Sequence, residues 1–248
     1  MNIKANASIP AVGTTLYKEV QREVLRALAA GEWKPGTAIP AEKKLCEMFS
    51  VSIGTLRKAI DELVAENILI RHQGRGTFVA QHNRAQQMFR FFNFTDHAGN
   101  KTYPQLSLIS YAKRRVDKVA AEKLHLSASD KAIAFTNLLY LEEQPVIVDD
   151  IVLPEPLFAS LTEEQIRNRP NTLYNLYQTD FGISIIRTEE RLRAGTAQPR
   201  YAELLGIKPG APILEVRRVA FSYDDKPVEW RISYVNTDKH EYAVPTAQ

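Results

Sequence analysis

The sequence predicts an α+β protein of two domains, and two patterns carry that prediction. Over residues 15–80, apolar residues recur at intervals of three and four, which is typical of amphipathic helices, and two short apolar runs separated by glycines follow them. From about Tyr103 onward, strand-like runs alternate with short helical ones, as expected for a mainly antiparallel sheet with helices around it. A length of 248 residues allows two such domains.

Composition narrows the class of protein. Hydrophobic residues make up 44% and charged residues 25% of the chain, which are ordinary values for a globular protein. No apolar run reaches the roughly 18–20 residues that a membrane span needs. The N-terminus also lacks the hydrophobic core of a signal peptide. We therefore expect a cytoplasmic protein with no membrane partner.

Cysteine and charge usage add two constraints. The single cysteine, Cys46, excludes an internal disulfide, and we interpret it as a small buried apolar residue, the alternative being a redox sensor. No His, Cys or carboxylate set recurs at ligand spacing, so we expect neither a metal nor a cofactor. Residues 1–80 hold 11 Lys and Arg against 8 Asp and Glu, which accounts for the whole net charge of +3. That distribution fits an electrostatic footprint on the first domain.

The first two predicted helices follow residues 1–14, which we interpret as a flexible N-terminus. The first helix begins near Thr15, and its apolar face consists of Leu16, Val20, Val24 and Leu28. The second helix covers Ala41–Phe49, and its apolar face consists of Leu45, Met48 and Phe49.

A third helix and a hairpin complete the first domain. Ser52 is expected to cap a helix that runs to about Ala65 and that Asn67 ends in a left-handed conformation. Its apolar stripe is Leu56, Ile60, Leu63 and Val64. Two strands, Ile68–Arg71 and Thr77–Val79, then flank a glycine-rich tip. This order is typical of a helix-turn-helix with a wing, a shape that places one helix in the DNA major groove.

The candidate DNA contacts lie on the second and third helices, away from the apolar stripe, and at the wing tip. Lysines and arginines neutralise phosphates, Thr55 can reach a phosphate or base edge, and Arg75 suits a narrow minor groove. The predicted contacts to double-stranded DNA are Lys43, Lys44, Ser52, Ile53, Gly54, Thr55, Arg57, Lys58, Gln73, Gly74, Arg75 and Gly76. The alternative is a winged helix used only for protein contact.

The segments LYKEVQREVLRAL, GEWKPGTAIPAEKKLCEMFSVSIGTLRKAIDELVAENILI and GRGTFV resemble the winged-helix domain of the GntR superfamily of bacterial transcription regulators. The resemblance covers about residues 15–80 and implies a homodimer whose two recognition helices bind a palindromic operator. Members often carry arginine at the positions of Lys43 and Ile53, so a bidentate grip on guanine is missing at Ile53. We therefore expect a different operator, in which Ile53 touches a thymine methyl or Gly54 allows a closer approach.

Residues 81–99 are predicted to be a linker, because a polar start is followed by an aromatic cluster rather than by a regular pattern. The cluster consists of Met88, Phe89, Phe91, Phe92 and Phe94. Three roles are open: a linker that folds onto the second domain, a dimer contact, or one lid of a ligand pocket.

The second domain is predicted over residues 100–248. Its predicted strands are Leu106–Val116, Ala132–Leu141, the run that begins at Pro145, Ser184–Ala194, and a hairpin of Ile213–Tyr223 with Val228–Val235. Its predicted helices are Lys118–Leu124, Pro154–Leu161, Thr162–Arg167, Thr172–Phe181 and Arg200–Leu205.

Four segments together resemble UTRA, the effector-binding domain of the HutC subfamily, which shares the chorismate-lyase fold. They are QPVIVDDIVLPEPLF, NTLYNLYQTDFGI, AELLGIKPGAPILEVRRVAFSYDDKPVEW and ISYVNTDKHEY. The resemblance implies a dimerising sensor of a small metabolite, often anionic or sugar-derived. In many relatives two arginines stand where this chain has Asn137 and Leu139, so the usual arginine grip on an anion is absent there.

The effector-binding residues that the resemblance implies are Asn137, Asp149, Tyr174, Glu229, Arg231 and Tyr234. Strand alternation separates the members of the last strand into two sets. Glu229 and Arg231 share one face, whereas Tyr234 lies on the other, and alternation does not say which face meets the pocket.

The sequence thus predicts a DNA-binding transcription regulator whose operator affinity depends on a small metabolite, with repression as the family's commonest outcome. One alternative is a constitutive DNA-binding dimer whose second domain serves only protein contact. A second is an enzyme similar to chorismate lyase, but no Ser-His-Asp order, phosphate loop or paired-carboxylate motif supports catalysis, and a fold does not carry activity with it.

Overall fold

The computed structural model describes residues 15–83 and 90–244, which form two compact units. The first unit ends at Gln81 and the second begins at His82. The second unit therefore starts within the segment that was predicted to be a linker.

Three helices and a small sheet build the first unit. The helices are α1 (Leu16–Ala29), α2 (Glu42–Phe49) and α3 (Ile53–Ala65), and the strands are β1 (Leu69–His72) and β2 (Gly76–Val79). Their shared core consists of Val20, Val24, Leu28, Leu45, Leu56, Ala59, Ile60 and Leu63. Lys18 and Gln21 of α1 both donate to Glu62 of α3, at 2.7 and 2.8 Å, which fastens the two helices together at the rim of this core.

The turns of the first unit follow the sequence signals. Ser50 and Asn67 adopt left-handed backbone conformations, with φ of 53° and 54°. The Ser52 hydroxyl accepts from the Thr55 amide at 3.2 Å, as predicted for a helix cap. The wing was predicted as a two-stranded hairpin, but the Gly36 and Ile39 amides also donate to β2 carbonyls at 2.9 Å. The preceding segment therefore adds a third strand-like edge to the wing.

A six-stranded antiparallel sheet forms the centre of the second unit. In chain order the elements are β3 (Phe94–Asp96), β4 (Gln105–Arg115), α4 (Lys118–Lys123), β5 (Lys131–Leu141), β6 (Gln144–Pro154), α5 (Glu163–Arg167), α6 (Leu173–Phe181), β7 (Arg187–Thr196), α7 (Pro199–Leu205), β8 (Pro212–Phe221), β9 (Pro227–Val235) and β10 (His240–Tyr242). The strand order of the large sheet is β4-β5-β6-β9-β8-β7, and β3 pairs separately with β10.

The two faces of the sheet carry different helices because side chains alternate along each strand. On one face, Ile133 and Phe135 of β5 pack with residues of α5 and α6, among them Ile166, Tyr174 and Tyr177. On the other face, two clusters place α4 and α7 against the sheet. Those clusters include Ala120, Val152, Trp230, Val148, Ala202 and Leu205.

A buried ionic network joins the middle of the sheet to α6. Arg231 of β9 donates to Asp149 of β6 at 3.0 Å and to both oxygens of Glu229 at 3.0 and 3.1 Å. Glu229 is 0% exposed and also accepts from the hydroxyls of Tyr174 and Tyr177, at 3.1 and 2.8 Å. Burial alone would lower the pKa of Arg231, but Glu229 and Asp149 outweigh it and hold that pKa well above its usual value.

Residues 90–99 of the predicted linker belong to the second unit. Phe91, Phe92 and Phe94 are buried there, and β3 is one strand of its small sheet. These three residues therefore pack within the second unit, which was one of the three open roles of the aromatic cluster. Met88 and Phe89 lie outside the described residues.

Two element boundaries also differ from the prediction. The strand predicted from Ser184 begins at Arg187, because Ser184 and Ile185 instead bond to side chains of the second unit's interior. The helix predicted over Pro154–Leu161 is only a short 3₁₀ turn, Glu155–Leu157, since Pro154 still belongs to β6.

His82 fastens the start of the second unit to α6. Its amide donates to Gln178 Oε1 at 2.8 Å, and its carbonyl accepts from Asn175 Nδ2 at 2.6 Å. Its Nε2 accepts from the Ile185 amide at 3.0 Å, so that nitrogen must be unprotonated. Burial lowers the pKa of His82 to about 4, and the charge of Arg90 adds to the effect.

Replacing Arg231 by methionine should destabilise the protein by about 3–5 kcal/mol, because two buried carboxylates would lose their shared cation. Chemical denaturation of the full chain measures this loss. Adding Glu229→Gln to the Arg231→Met variant should recover part of it, since one of the two unpaired charges is removed. The matched control is Arg191→Met on the exposed edge strand, and an equal loss in that variant would contradict the prediction.

The His82 contacts predict an acid-sensitive stability. The folded-state pKa lies below the ordinary value of 6.5, so the unfolded chain takes up the proton first. The free energy of unfolding should therefore fall by about 3 kcal/mol at most as pH drops from about 6.5 to about 4. Denaturation across this range should show a shallower pH slope for His82→Gln, whereas the exposed control His125→Asn should keep the wild-type slope. Parallel slopes for His82→Gln and wild type would show that His82 titrates normally.

Candidate functional site

The first turn of α3 is exposed to solvent because the opposite face of the helix packs into the core. Leu56, Ala59 and Ile60 are buried, which fixes the rotation of the helix. Ile53, the first residue of α3, is consequently 45% exposed. The other predicted contacts on α3 are exposed or half-buried, namely Ser52, Gly54, Thr55, Arg57 and Lys58.

Gly54 is not required by the packing of the first unit. A Cβ built at this position would meet only Ser52 Oγ, at 3.9 Å, and its φ lies outside the left-handed region. Glycine within a helix nevertheless costs roughly 0.5–1 kcal/mol relative to alanine. Packing among the described residues therefore does not explain the glycine at this position.

The predicted cations surround this turn, and several have weak partners in the free protein. Arg57 Nε donates to Glu42 at 2.9 Å, in a largely exposed pair of small energetic value. Lys58 Nζ lies 4.0 Å from the centre of the Tyr17 ring. Lys43 and Lys44 are exposed, so both are available to phosphates.

The wing tip is exposed from Gln73 to Gly76. Gly74 and Gly76 have φ of +70° and +106°, which L side chains rarely adopt, so both glycines are required by the turn itself. Arg75 lies 5.8 Å from the Phe78 ring centre, at the end of the hairpin. Cys46, interpreted as buried, is only half-buried on α2.

A cavity of about 410 Å³ opens above the buried ionic network of the second unit. Its floor is the face of the sheet that carries Asn137, Asp149, Arg231 and Ser233, and its walls come from α6, the segment before it, and the aromatic residues near β3. The wall residues include Phe91, Phe92, Phe94, Arg169, Thr172 and Arg218. A volume of this size accommodates a small metabolite.

The structure brings together five of the six predicted effector residues. Asn137, Asp149 and Arg231 line the cavity, while Glu229 and Tyr174 lie directly beneath, bonded to each other and to Arg231. Tyr234 does not join them. Its ring stacks on Tyr201, 3.8 Å between centroids, on the opposite face of the sheet.

The prediction that Tyr234 lines this cavity is therefore wrong. Side chains alternate along the strand, and the sequence did not show which face meets the cavity. Trp230, Ile232 and Tyr234 line a second cavity of about 470 Å³ on the other face. There the Tyr201 hydroxyl donates to Asp150 at 2.6 Å, and Arg200 donates to Thr136 at 3.1 Å.

Sequence reasoning found Arg231 but missed the other three arginines of the cavity, Arg167, Arg169 and Arg218. Arg218 bonds to Glu190 and donates to the Phe91 carbonyl at 2.7 Å, so the described residues neutralise it. Arg169 is half-buried beside the N-terminus of α6, and its guanidinium donates to the Ile166 carbonyl. The sequence places Arg169 two residues before Asn171 and just ahead of a helix cap, and this position could have identified it as a site residue.

Neither a metal cluster nor a membrane helix stands out in the part of the chain that the structure describes. No three His, Cys, Asp or Glu side chains of residues 15–83 and 90–244 gather as ligands for an ion. Within the same residues, none of the helices has the length and apolar character to cross a bilayer.

Family models match both units of the chain. The model for bacterial regulatory proteins of the gntR family covers residues 16–79, and the UTRA domain model covers residues 100–241. The UTRA match alone spans more than half of the chain.

Two curated relatives match over most of their length. The "Probable fructoselysine utilization operon transcriptional repressor" of Escherichia coli K12 is 28% identical over 213 residues, which are 86% of this chain and 87% of the relative. The HTH-type transcriptional repressor NagR of Bacillus subtilis is 25% identical over 243 residues, covering 98% of this chain and 97% of the relative.

Solved structures support the same assignment. The ligand-binding domain of a GntR-family regulator from Bordetella bronchiseptica superposes with a TM-score of 0.60 at 30% identity, covering 64% of this chain and 98% of that domain. The regulator YydK of Bacillus subtilis covers 94% of this chain with a TM-score of 0.56 at 19% identity, a likeness of fold. The chain therefore belongs to the gntR family of bacterial regulatory proteins with a UTRA domain, and it is a DNA-binding transcription regulator.

Proposed function

We propose that the protein is a homodimeric repressor that binds a palindromic operator through α3 and the wing and that responds to a metabolite held in the 410 Å³ cavity. The observation that carries the DNA-binding surface is the first turn of α3. Ile53 is exposed and Gly54 lacks a side chain, although the packing of the unit asks for neither. A groove-bound helix explains both features, since its first turn contacts base edges.

Phosphate contacts supply most of the affinity in this mechanism. Arg57 exchanges its exposed pairing with Glu42 for a phosphate, and Lys43, Lys44 and Lys58 add three more cations nearby. Each phosphate neutralised releases counterions, so the affinity falls steeply with salt. Arg75 enters the adjacent minor groove from the wing tip, where a narrow groove attracts a guanidinium.

The base sequence of the operator is recognised by Ile53, Gly54 and Thr55. Ile53 offers an apolar surface that suits a thymine methyl, and Gly54 lets the helix backbone come closer to the base edges. Thr55 and Ser52 already share a 3.0 Å hydroxyl contact, which orients the Thr55 hydroxyl at the helix start.

The effector acts by binding one arrangement of the dimer more tightly than the other. It can shift the equilibrium between the two arrangements only by that difference in affinity. Repression is supported by the relatives, because the Escherichia coli and Bacillus subtilis proteins are both named as repressors. Two-fold symmetry of an operator matches a homodimer. Such a regulator works in the cytoplasm, and we assign no catalytic step to the cavity.

The competing proposal is a constitutive DNA-binding dimer whose second unit serves only protein contact. The 410 Å³ cavity favours a ligand instead, because its walls and floor carry four arginines: Arg167, Arg169, Arg218 and Arg231. A metabolite extract that changes operator affinity of the full chain, and raises its melting temperature, would reject the constitutive reading.

Selection of bound genomic fragments by the purified full chain tests the DNA-binding proposal. We expect a palindromic motif whose affinity drops steeply between low and moderate salt, because several phosphates are neutralised. Arg57→Ala should weaken binding about tenfold across sequences, as expected for a phosphate contact. Sequence-blind binding by the wild-type chain would overturn the proposal.

Gly54→Ala separates stability from DNA binding. The helix should become more stable by roughly 0.5–1 kcal/mol, because alanine is the better helix former and the added Cβ has open space. Operator affinity should nevertheless fall, since the methyl group stands between the helix and the bases. The matched control is Ala65→Gly at the far end of α3, which should lower stability and leave the operator motif intact. Unchanged operator affinity in Gly54→Ala would show that this residue does not face the groove.

A further inference from the structure

The floor of the 410 Å³ cavity carries an excess of negative charge. Asp149 and Glu229 are two carboxylates that share the single guanidinium of Arg231, and all three are buried. The nearby pair of Arg218 with Glu190 is balanced. The floor therefore has a formal charge of about minus one, which favours a cationic or donor-rich group above it.

Asn137 reinforces this preference. It is 1% exposed, it lines the cavity, and its Oδ1 has no hydrogen-bond partner among the described residues. Asn137 stands directly opposite Asp149 in the β5–β6 register, so an amide oxygen and a carboxylate lie side by side. A buried acceptor without a partner costs about 1–3 kcal/mol, and a ligand donor would remove that cost.

The wall at α6 has the opposite character. No carboxylate of the described residues lies within salt-bridge distance of Arg169, and burial lowers the pKa of its guanidinium. Arg169 stands just before the nine-residue helix α6, whose N-terminal residues Thr172 and Leu173 line the same cavity. A guanidinium beside a helix N-terminus favours an anion. Arg167, by contrast, is paired with Glu163 at 2.7 Å.

We propose that the effector is amphoteric: it carries an amino group that binds Asn137 and Asp149 and an acidic group, carboxylate or phosphate, that binds Arg169 and the start of α6. The proposal rests on the proposed function, in which this cavity is the effector site. The sheet floor accepts hydrogen bonds, and the helix wall binds the anion.

A neutral or purely anionic ligand fits this cavity less well. A neutral ligand would leave Arg169 without an anion, and a ligand without a hydrogen-bond donor at the floor would leave the Asn137 oxygen unpaired. An amphoteric ligand satisfies both ends at once, and a charged hydrogen bond at each end makes the two contributions large.

Calorimetric titration of the full chain with two probe sets tests the proposal. The phosphate set is glucosamine 6-phosphate, glucose 6-phosphate, glucosamine and glucose. The carboxylate set is 6-aminohexanoate, hexanoate and hexylamine. In at least one set, the probe with both groups should bind about tenfold tighter than the probes with one group, as expected for one charged hydrogen bond at each end. The set that shows this preference identifies the acid as phosphate or carboxylate.

Three variants test which residue binds the acidic end and which binds the amino end of the doubly functional probe. Arg169→Met should reduce the doubly functional probe to the affinity of the amine-only probe, and Arg169→Lys should restore part of the difference. Asn137→Leu should reduce it to the affinity of the acid-only probe, and the variant should fold because its unpaired oxygen is removed. The exposed control Arg191→Met should bind every probe as the wild type does.

Two results overturn the proposal. One is equal binding of single-function and doubly functional probes, and the other is no binding by either set. Release of operator DNA by a metabolite extract shows whether only the amphoteric assignment or the whole effector function is wrong. If the extract changes operator affinity and the probes fail, only the amphoteric assignment is wrong. If the extract leaves operator affinity unchanged, the effector function itself is wrong.

Discussion

The second unit depends on one guanidinium shared by two buried carboxylates. Arg231 holds Asp149 from the neighbouring strand and Glu229 from its own, while two tyrosines of α6 donate to Glu229. Removing the guanidinium would leave two buried carboxylates without a cation, so the set constrains the sheet and the helix together. The cavity lies above this network because the network supplies its polar floor.

Helix α6 connects that floor to the start of the second unit. Its N-terminus lines the cavity at Thr172, its tyrosines reach Glu229, and its Asn175 and Gln178 hold His82. His82 directly follows the last residue of the DNA-binding unit in the chain. One helix thus contacts both the cavity and the point where the chain enters this unit.

Local signals in the sequence predicted most elements, because caps and turns are decided within a few residues. Ser52 caps α3, and Asn67 ends it in a left-handed conformation. The aromatic stretch of Phe91, Phe92 and Phe94 was placed in the linker with its role left open. Its burial depends on partners such as Tyr242, about 150 residues away, which no local pattern reveals.

The candidate sites are the places where the chain departs from its own local rules. Gly54 lies in a helix that has room for a side chain, the Asn137 oxygen is buried without a partner among the described residues, and Arg169 is a half-buried cation with no described carboxylate within salt-bridge distance. Each departure costs stability in the free protein, and a bound partner would offset each of them. A chain selected for stability alone would not keep three such positions, so their location at the two proposed sites supports binding as their common cause.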